Sequence, residues 1–284
     1  MKYVSVLTAA LWTSFATPAA ADPFHWTAGP FDMPESAIFD AVQDRIILSV
    51  IGGHPGAADG DGTLALLSPE GEILDPQWVT GLDAPKGMAI LGDSLLVADL
   101  TRLHEVDLAS GEILRSLELE GASFLNDVTS DGAQAFVSDL MTNRIWRYHG
   151  GEMTLWLEAD ALAHPNGLLL DGERLLVGSW GSGMRDDFTT EQPGALLSVD
   201  LATKAVHPLV PNLGNLDGVA RIGETLLVND WITGALFAIA ADGTVTLKTE
   251  FPAGLADISA HGDRLFLPSM LEGSLSVLTY SGRK

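Results

Sequence analysis

His164-Pro165-Asn166-Gly167-Leu168-Leu169-Leu170-Asp171-Gly172-Glu173-Arg174-Leu175-Leu176-Val177 decides how this chain folds. An apolar run, an Asp-Gly turn and a second apolar run make the pattern of two short antiparallel strands joined by a hairpin. The same frame recurs on both sides of it. Leu95-Leu96-Val97, Ala135-Phe136-Val137, Leu226-Leu227-Val228 and Leu265-Phe266-Leu267 repeat the second run. Eleven residues before the last member of each of these five runs stands Lys86, Asn126, Asn166, Asp217 or, in the final unit, Ala256 followed by Asp257. Ile46-Ile47-Leu48 fits with a slightly longer turn and puts Glu35 in the equivalent place.

Six units of about 40 residues result, two of them lengthened by insertions at His54 to Gly62 and Gly181 to Gly194. Within a unit four short strands are expected: one after the marked residue, the Leu-Leu-Val strand, a third such as Leu103 to Asp107, and a fourth such as Glu112 to Leu119. No stretch shows convincing helical periodicity. Four-stranded units of this period are propeller blades, so the expected fold is an all-β six-bladed β-propeller. Closing the ring requires an outer strand for the last blade, because an open blade exposes unpaired edges. Ser274 to Thr279 reads as its third strand, and residues near Phe24 to Gly29 are expected to supply the fourth.

The first residues read as an export signal: Lys2, the apolar stretch Val4 to Phe15, and Ala19-Ala20-Ala21 as a cleavage site. Residues 1–21 are thus expected to be removed, leaving residues 22–284 as one propeller domain, exported to a periplasmic or extracellular compartment without a membrane anchor. With no cysteine, disulfides, thiolate metal sites and a cysteine nucleophile are excluded. A formal charge of −23 argues against nucleic acid, whose phosphates require a basic surface.

If each marked residue opens the innermost strand of its blade, Glu35, Lys86, Asn126-Asp127, Asn166, Asp217 and Asp257 converge around one end of the central channel. Asn166-Gly167 and Asp217-Gly218 also read as ordinary turn dipeptides. Register separates the two readings, because the hairpin pairs Asp131-Gly132 and Asp171-Gly172 fall five residues later than the marked positions. Carboxylates confined together must either hold protons or share a cation. A cation is the simpler answer, and an all-oxygen donor set suits a hard divalent ion, calcium before magnesium, manganese or zinc. Lys86 either holds an anionic group of a ligand or pairs with a neighbouring carboxylate.

The motifs Pro34-Glu35-Ser36-Ala37-Ile38, Leu125-Asn126-Asp127-Val128, Pro165-Asn166-Gly167-Leu168 and Leu216-Asp217-Gly218-Val219 resemble, in order, those of the gluconolactonase and regucalcin family. The resemblance spans nearly all of residues 22–284. It implies a divalent ion held by Glu35, Asn166 and Asp217, with Asn126 touching substrate or completing the ion's shell and Asp217 as general base. Paraoxonases look like more distant relatives, with a pair like Asn126-Asp127 near their calcium. Sugar-lactone hydrolases of the family carry an arginine two residues before the blade-three asparagine, where this chain has Phe124. An apolar ring cannot bond polyol hydroxyls, which shifts the expected small-molecule substrate toward a less polar lactone or ester. Trp180, Met184 and Phe188 of the fourth-blade insertion could line such a pocket.

Other signals are weaker. Asp59, Asp61 and Glu70 mimic part of a calcium loop, but Leu64 stands where glycine is required. The seven histidines are scattered; His164, two residues before Asn166, is the one that could face the channel mouth. Asp99, Asp139 and Asp230 recur after the second strands and are read as structural acids bonding the backbone of the next turn. Two functions therefore stand: a metal-dependent hydrolase of a lactone or related ester, and a non-catalytic, metal-stabilised propeller that binds a ligand or partner protein.

Overall fold

A strand such as Leu95-Leu96-Val97, apolar on both faces, must be covered on both sides. In the computed structural model, which describes residues 24–280, the neighbouring blades supply that cover. Leu95 and Val97 pack with Ile47, Leu64 and Val79 of blade one, whereas Leu96 and Ala98 pack with Val128, Val137 and Trp146 of blade three. Leu175 and Val177 likewise meet Phe136 and Trp156 on one side, and Leu176 meets Val219 and Val228 on the other. Phe266 and Val277 of the last blade pack against Ile46, Leu48 and Ala65 of the first, which closes the cycle. The core is thus a ring of inter-blade layers around a channel.

Six antiparallel sheets of four main strands build the ring, as the repeat predicts, and the fourth adds the short strand Gly181–Ser182 from its insertion. The innermost strands are Pro34–Asp40, Pro85–Leu91, Leu125–Ser130, Pro165–Asp171, Leu216–Ile222 and Ser259–His261. The single helical element among the described residues is the 3-10 turn Asp160–Leu162. None of these residues forms a helix long and apolar enough to cross a membrane. The ring closes as expected: Phe24–Ala28 pairs antiparallel with Ser274–Thr279 and becomes the outer strand of blade six. The predicted leader, residues 1–21, lies outside the described residues.

Candidate functional site

Five of the six inner strands share one irregularity at their start. Pro34 pairs with Val50 and Ala37 with Leu48, so three steps on the inner strand oppose two on its partner. The same step falls between Pro85 and Met88, Leu125 and Val128, Pro165 and Leu168, and Leu216 and Val219. Each is a β-bulge, which takes two residues out of the ladder and re-aims them. The two residues are the marked residue and its follower. Ser49, Ser138 and Asn229 accept the follower's freed N–H in blades one, three and five, each at 2.9 Å.

The bulges split the polar residues between the two ends of the channel. Glu35, Lys86, Asn126, Asn166 and Asp217 line one pocket of about 170 Å³, together with Phe124. Five of the six positions singled out by sequence register therefore meet in one place, with Phe124 beside them. Asp127 and Asp257 do not join them. They line a second, larger cavity of about 410 Å³ with Ser36, Thr129 and Ser259. Convergence of all the acids at one end is corrected here: Asp127 and Asp257 sit in the follower register, where Ala256 is the marked residue of blade six, and followers point the other way. Asp257 accepts a hydrogen bond from Ser36 Oγ at 2.6 Å, and Asp127 accepts the Leu168 and Val128 N–H groups, each at 2.6 Å.

Gly167 and Gly218 settle the turn question. Neither has the left-handed φ of the true hairpin glycines Gly132 (+87°) and Gly172 (+64°). They are glycines because the next blade comes too close for a side chain. A Cβ on Gly167 would overlap the Asp217 carbonyl oxygen, and one on Gly218 would stand 2.8 Å from Asp257 Oδ1.

Inside the first pocket the polar atoms are tightly confined. Asn166 Nδ2 donates to Asp217 Oδ1 at 2.9 Å and to the Leu216 carbonyl at 3.2 Å. The oxygens facing away from such bonds have no partner: Glu35 Oε2, Asn126 Oδ1 and Asn166 Oδ1 are buried and unsatisfied. Burial, reinforced by Asp217 and Asp257 and opposed by Lys86, raises the Glu35 carboxyl well above its ordinary range. Burial and then Asp257 do the same to Asp217, against the Asn166 hydrogen bond. Burial lowers Lys86 to about 8, with Glu35 and Asp99 pulling the other way. Among the described residues no three His, Cys, Asp or Glu side chains form a ligand cluster. The candidate set is instead two carboxylates and two amides, Glu35, Asp217, Asn126 and Asn166, and its orphaned oxygens fit a hard divalent cation.

The wall of the pocket is apolar, and sequence reading passed over most of it. Ile51, Leu140, Trp180, Trp231 and Met270 all line it, each the residue that follows its blade's second strand. Only Leu100 of this series is not in the lining; it packs in the same apolar cluster as Ile51 and Met270. The signal was present, since each stands three residues after the last member of its Leu-Leu-Val run. Their N–H groups bond Met33, Phe124, His164, Asn215 and Gly254 carbonyls at 2.8–3.0 Å, so each clamps the residue two before the marked position of its blade. From the fourth-blade insertion Phe188 lies 6.5 Å from Phe124, ring centre to ring centre, and its carbonyl accepts the Trp180 indole N–H at 2.8 Å. Met184 is not in the lining.

His164 is turned away: its Nδ1 meets the Leu140 carbonyl at 2.9 Å, and it does not line the pocket. Asp230 caps the next turn at Ile232 and Thr233, as expected. Asp99 and Asp139 reach back instead, Asp99 accepting the Asp83 and Ala84 N–H groups and Asp139 those of Ser123 and Phe124. Hairpin pairing puts the end of each second strand beside the start of its inner strand, so these acids hold the loops that lead into Lys86 and Asn126.

Six sheets around a channel with a polar cluster at one mouth define a class, the six-bladed β-propellers. Within that class the relatives are structural: no family model and no curated protein sequence matches this chain. A catalytically inactive virginiamycin B lyase of Staphylococcus aureus with quinupristin is similar to it at a TM-score of 0.57 and 13% identity, over 87% of this chain and 94% of that one. A chain of a nidogen–laminin complex reaches 0.62 at 12% identity, covering 85% of this chain and 88% of its own. A streptogramin B lyase structure reaches 0.56 at 14%, covering 88% and 94%. Likeness at these identities is a likeness of fold. The gluconolactonase and regucalcin resemblance thus rests on the motifs alone.

Proposed function

We propose that this protein is an exported, divalent-metal-dependent hydrolase of a weakly polar lactone or related ester. One observation carries the reading. Three buried oxygens without partners, on Glu35, Asn126 and Asn166, belong to side chains lining a single pocket beside Asp217. An unpaired buried oxygen costs about 1–3 kcal/mol, and three in one pocket are difficult to retain without a ligand that satisfies them. Glu35, Asn126, Asn166 and Asp217 would hold the ion, calcium before magnesium, manganese or zinc. Bound there, the ion would supply Lewis acidity toward a carbonyl oxygen.

The remaining work falls to the chain's own groups. Asp217 is positioned by Asn166 Nδ2 and would act as the general base that takes a proton from water. Trp180, Trp231, Phe124 and Met270 exclude bulk water and pack the apolar part of the substrate. Phe124 offers a polyol nothing to bond. That the fold hosts an enzyme elsewhere, the virginiamycin B lyase, makes catalysis on this scaffold plausible. A non-catalytic binding role is the second reading, favoured by the similar propeller found in a nidogen–laminin complex.

Metal analysis of the purified protein and a panel of lactones and esters separate the two. Asp217→Asn should abolish a chelator-sensitive hydrolysis while leaving the circular dichroism spectrum unchanged. Metal-dependent stabilisation with no turnover of any panel member would favour the binding role.

A further inference from the structure

Lys86 is the one buried ionisable group of the pocket that the hydrolysis outlined above does not use. Its side chain is 2% exposed, yet among the described residues no carboxylate lies within ion-pair distance of it. A buried ammonium with no carboxylate in contact is costly to keep. Two of its three N–H groups are engaged by carbonyls, Pro55 at 3.0 Å and Ala84 at 2.8 Å, and Nζ stands 4.5 Å from the centre of the Phe124 ring. The third is free. Lys86 and Glu35 feel each other's charge across the pocket but form no ion pair, and Glu35 Oε2 is left unsatisfied. Separate elements fix the ammonium. Pro55 comes from the first-blade insertion, and the Ala84 segment is held by Asp99.

Apart from the exposed Asp187, whose Oδ1 accepts the Thr189 N–H and hydroxyl, the rest of the wall is apolar, with Trp180, Trp231, Phe188 and Met270 facing the same space. Most of the net charge of −23 is carried by surface groups and is screened beyond about 8 Å in physiological salt, and the pocket carboxylates Glu35 and Asp217 are neutralised by the ion in the hydrolase reading, which leaves Lys86 as the fixed cation that an anion would meet.

We infer that the pocket selects an amphiphilic anion, an apolar body against the tryptophans with a carboxylate on the free N–H of Lys86. Resting on the hydrolase reading, this narrows the substrate to a lactone or ester that carries a second, ionised carboxylate. Lys86 is then a specificity-determining residue and takes no part in bond cleavage.

Hexanoate and hexanamide, equal in length and not hydrolysable here, test the inference by titration of the tryptophan fluorescence of the calcium-loaded protein. Hexanoate should bind on the order of tenfold tighter than hexanamide, the worth of one charge-assisted hydrogen bond. Lys86→Met and Lys86→Gln should erase that preference by weakening hexanoate alone. No preference in the natural protein, or a preference that survives both substitutions, overturns the inference. Should neither variant fold, chelation decides: a preference that persists without the ion supports Lys86, and one lost with the ion assigns the anion to the metal. Neither probe is turned over, so a failed lactone panel leaves this result standing on its own.

Discussion

Replacing Gly167 by alanine sets two physical arguments against each other. Glycine inside a strand normally weakens it by about 0.5–1 kcal/mol relative to alanine, so local propensity predicts a gain. Gly167 has no left-handed φ to oppose that gain. The added Cβ would nevertheless overlap the Asp217 carbonyl oxygen and stand 2.8 Å from its carbonyl carbon and 3.0 Å from Gly218 Cα. Ordinary carbon contacts are about 3.5–4.0 Å and the overlap with the oxygen is more severe than either carbon contact, so blades four and five must separate locally by more than about 1 Å. All the obstructing atoms are backbone, which cannot rotate aside. Overpacking of this kind costs up to about 3 kcal/mol. At about 2–4 °C per kcal/mol for a chain of this size, melting should fall by roughly 5–10 °C. The displaced groups are the Asn166–Asp217 pair, so the calcium-dependent rise in Tm should also shrink. Gly172→Ala is the control: its φ of +64° adds backbone strain in an open turn with nothing within 4 Å, and should lower Tm while sparing the calcium response. Scanning calorimetry with and without calcium reads both quantities. If Gly167→Ala melts at or above the natural protein with a full calcium response, the close approach of the two blades is not the reason for glycine.

Asn126→Leu removes a buried unsatisfied oxygen, so the metal-free protein should melt at the same temperature or higher, while the calcium-dependent stabilisation, about 2.7 kcal/mol at a hundredfold excess over Kd, should be lost. Unchanged calcium stabilisation would remove Asn126 from the ligand set. Burial alone would raise the Asp99 carboxyl, but hydrogen bonds from His104 and the Ala84 and Asp83 amides outweigh it and hold the group below its ordinary range. Its stabilising contribution is therefore complete above the unfolded value near 3.9 and fades as pH falls through the lower folded value. Asp99→Asn should accordingly melt lower at pH 7, with the gap narrowing below about pH 4; a gap independent of pH would show that ionisation of Asp99 does not stabilise the fold. A chain beginning at Pro30 lacks the strand paired with Ser274–Thr279 and the Trp26 indole bond to the Pro69 carbonyl at 2.9 Å. It should aggregate on gel filtration or melt far lower, and a monomer of natural stability would mean that this closure contributes little.

The fold was legible because propeller blades are written in short-range periodicity. Leu95-Leu96-Val97 and its counterparts announce strands covered on both faces, and the constant spacing from Lys86, Asn126, Asn166 and Asp217 announces one hairpin repeated. Phe24–Ala28 could be assigned to the last blade because the repeat left one strand missing there. The apolar rim of Ile51, Leu140, Trp180, Trp231 and Met270 stood in the same register but has no chemical signature of its own. Apolar residues after a strand read as core until the ring shows them facing a pocket.

The sequence by itself determined the six-bladed ring, its closure, and five of the polar residues that meet at the mouth, because register is a one-dimensional property and the ring merely rolls it up. Which way each polar side chain points was decided only by the tertiary structure. A one-residue bulge at the start of five inner strands aims Glu35 and Asp217 at one cavity and Asp127 at the other, and the bulge is visible only once the partner strand is in place. The glycines at 167 and 218 depend likewise on how near the next blade comes, and the lack of an ion pair at Lys86 on where the neighbouring blades leave Glu35 and Asp99. Distances between blades come from packing across the ring, which no stretch of chain contains.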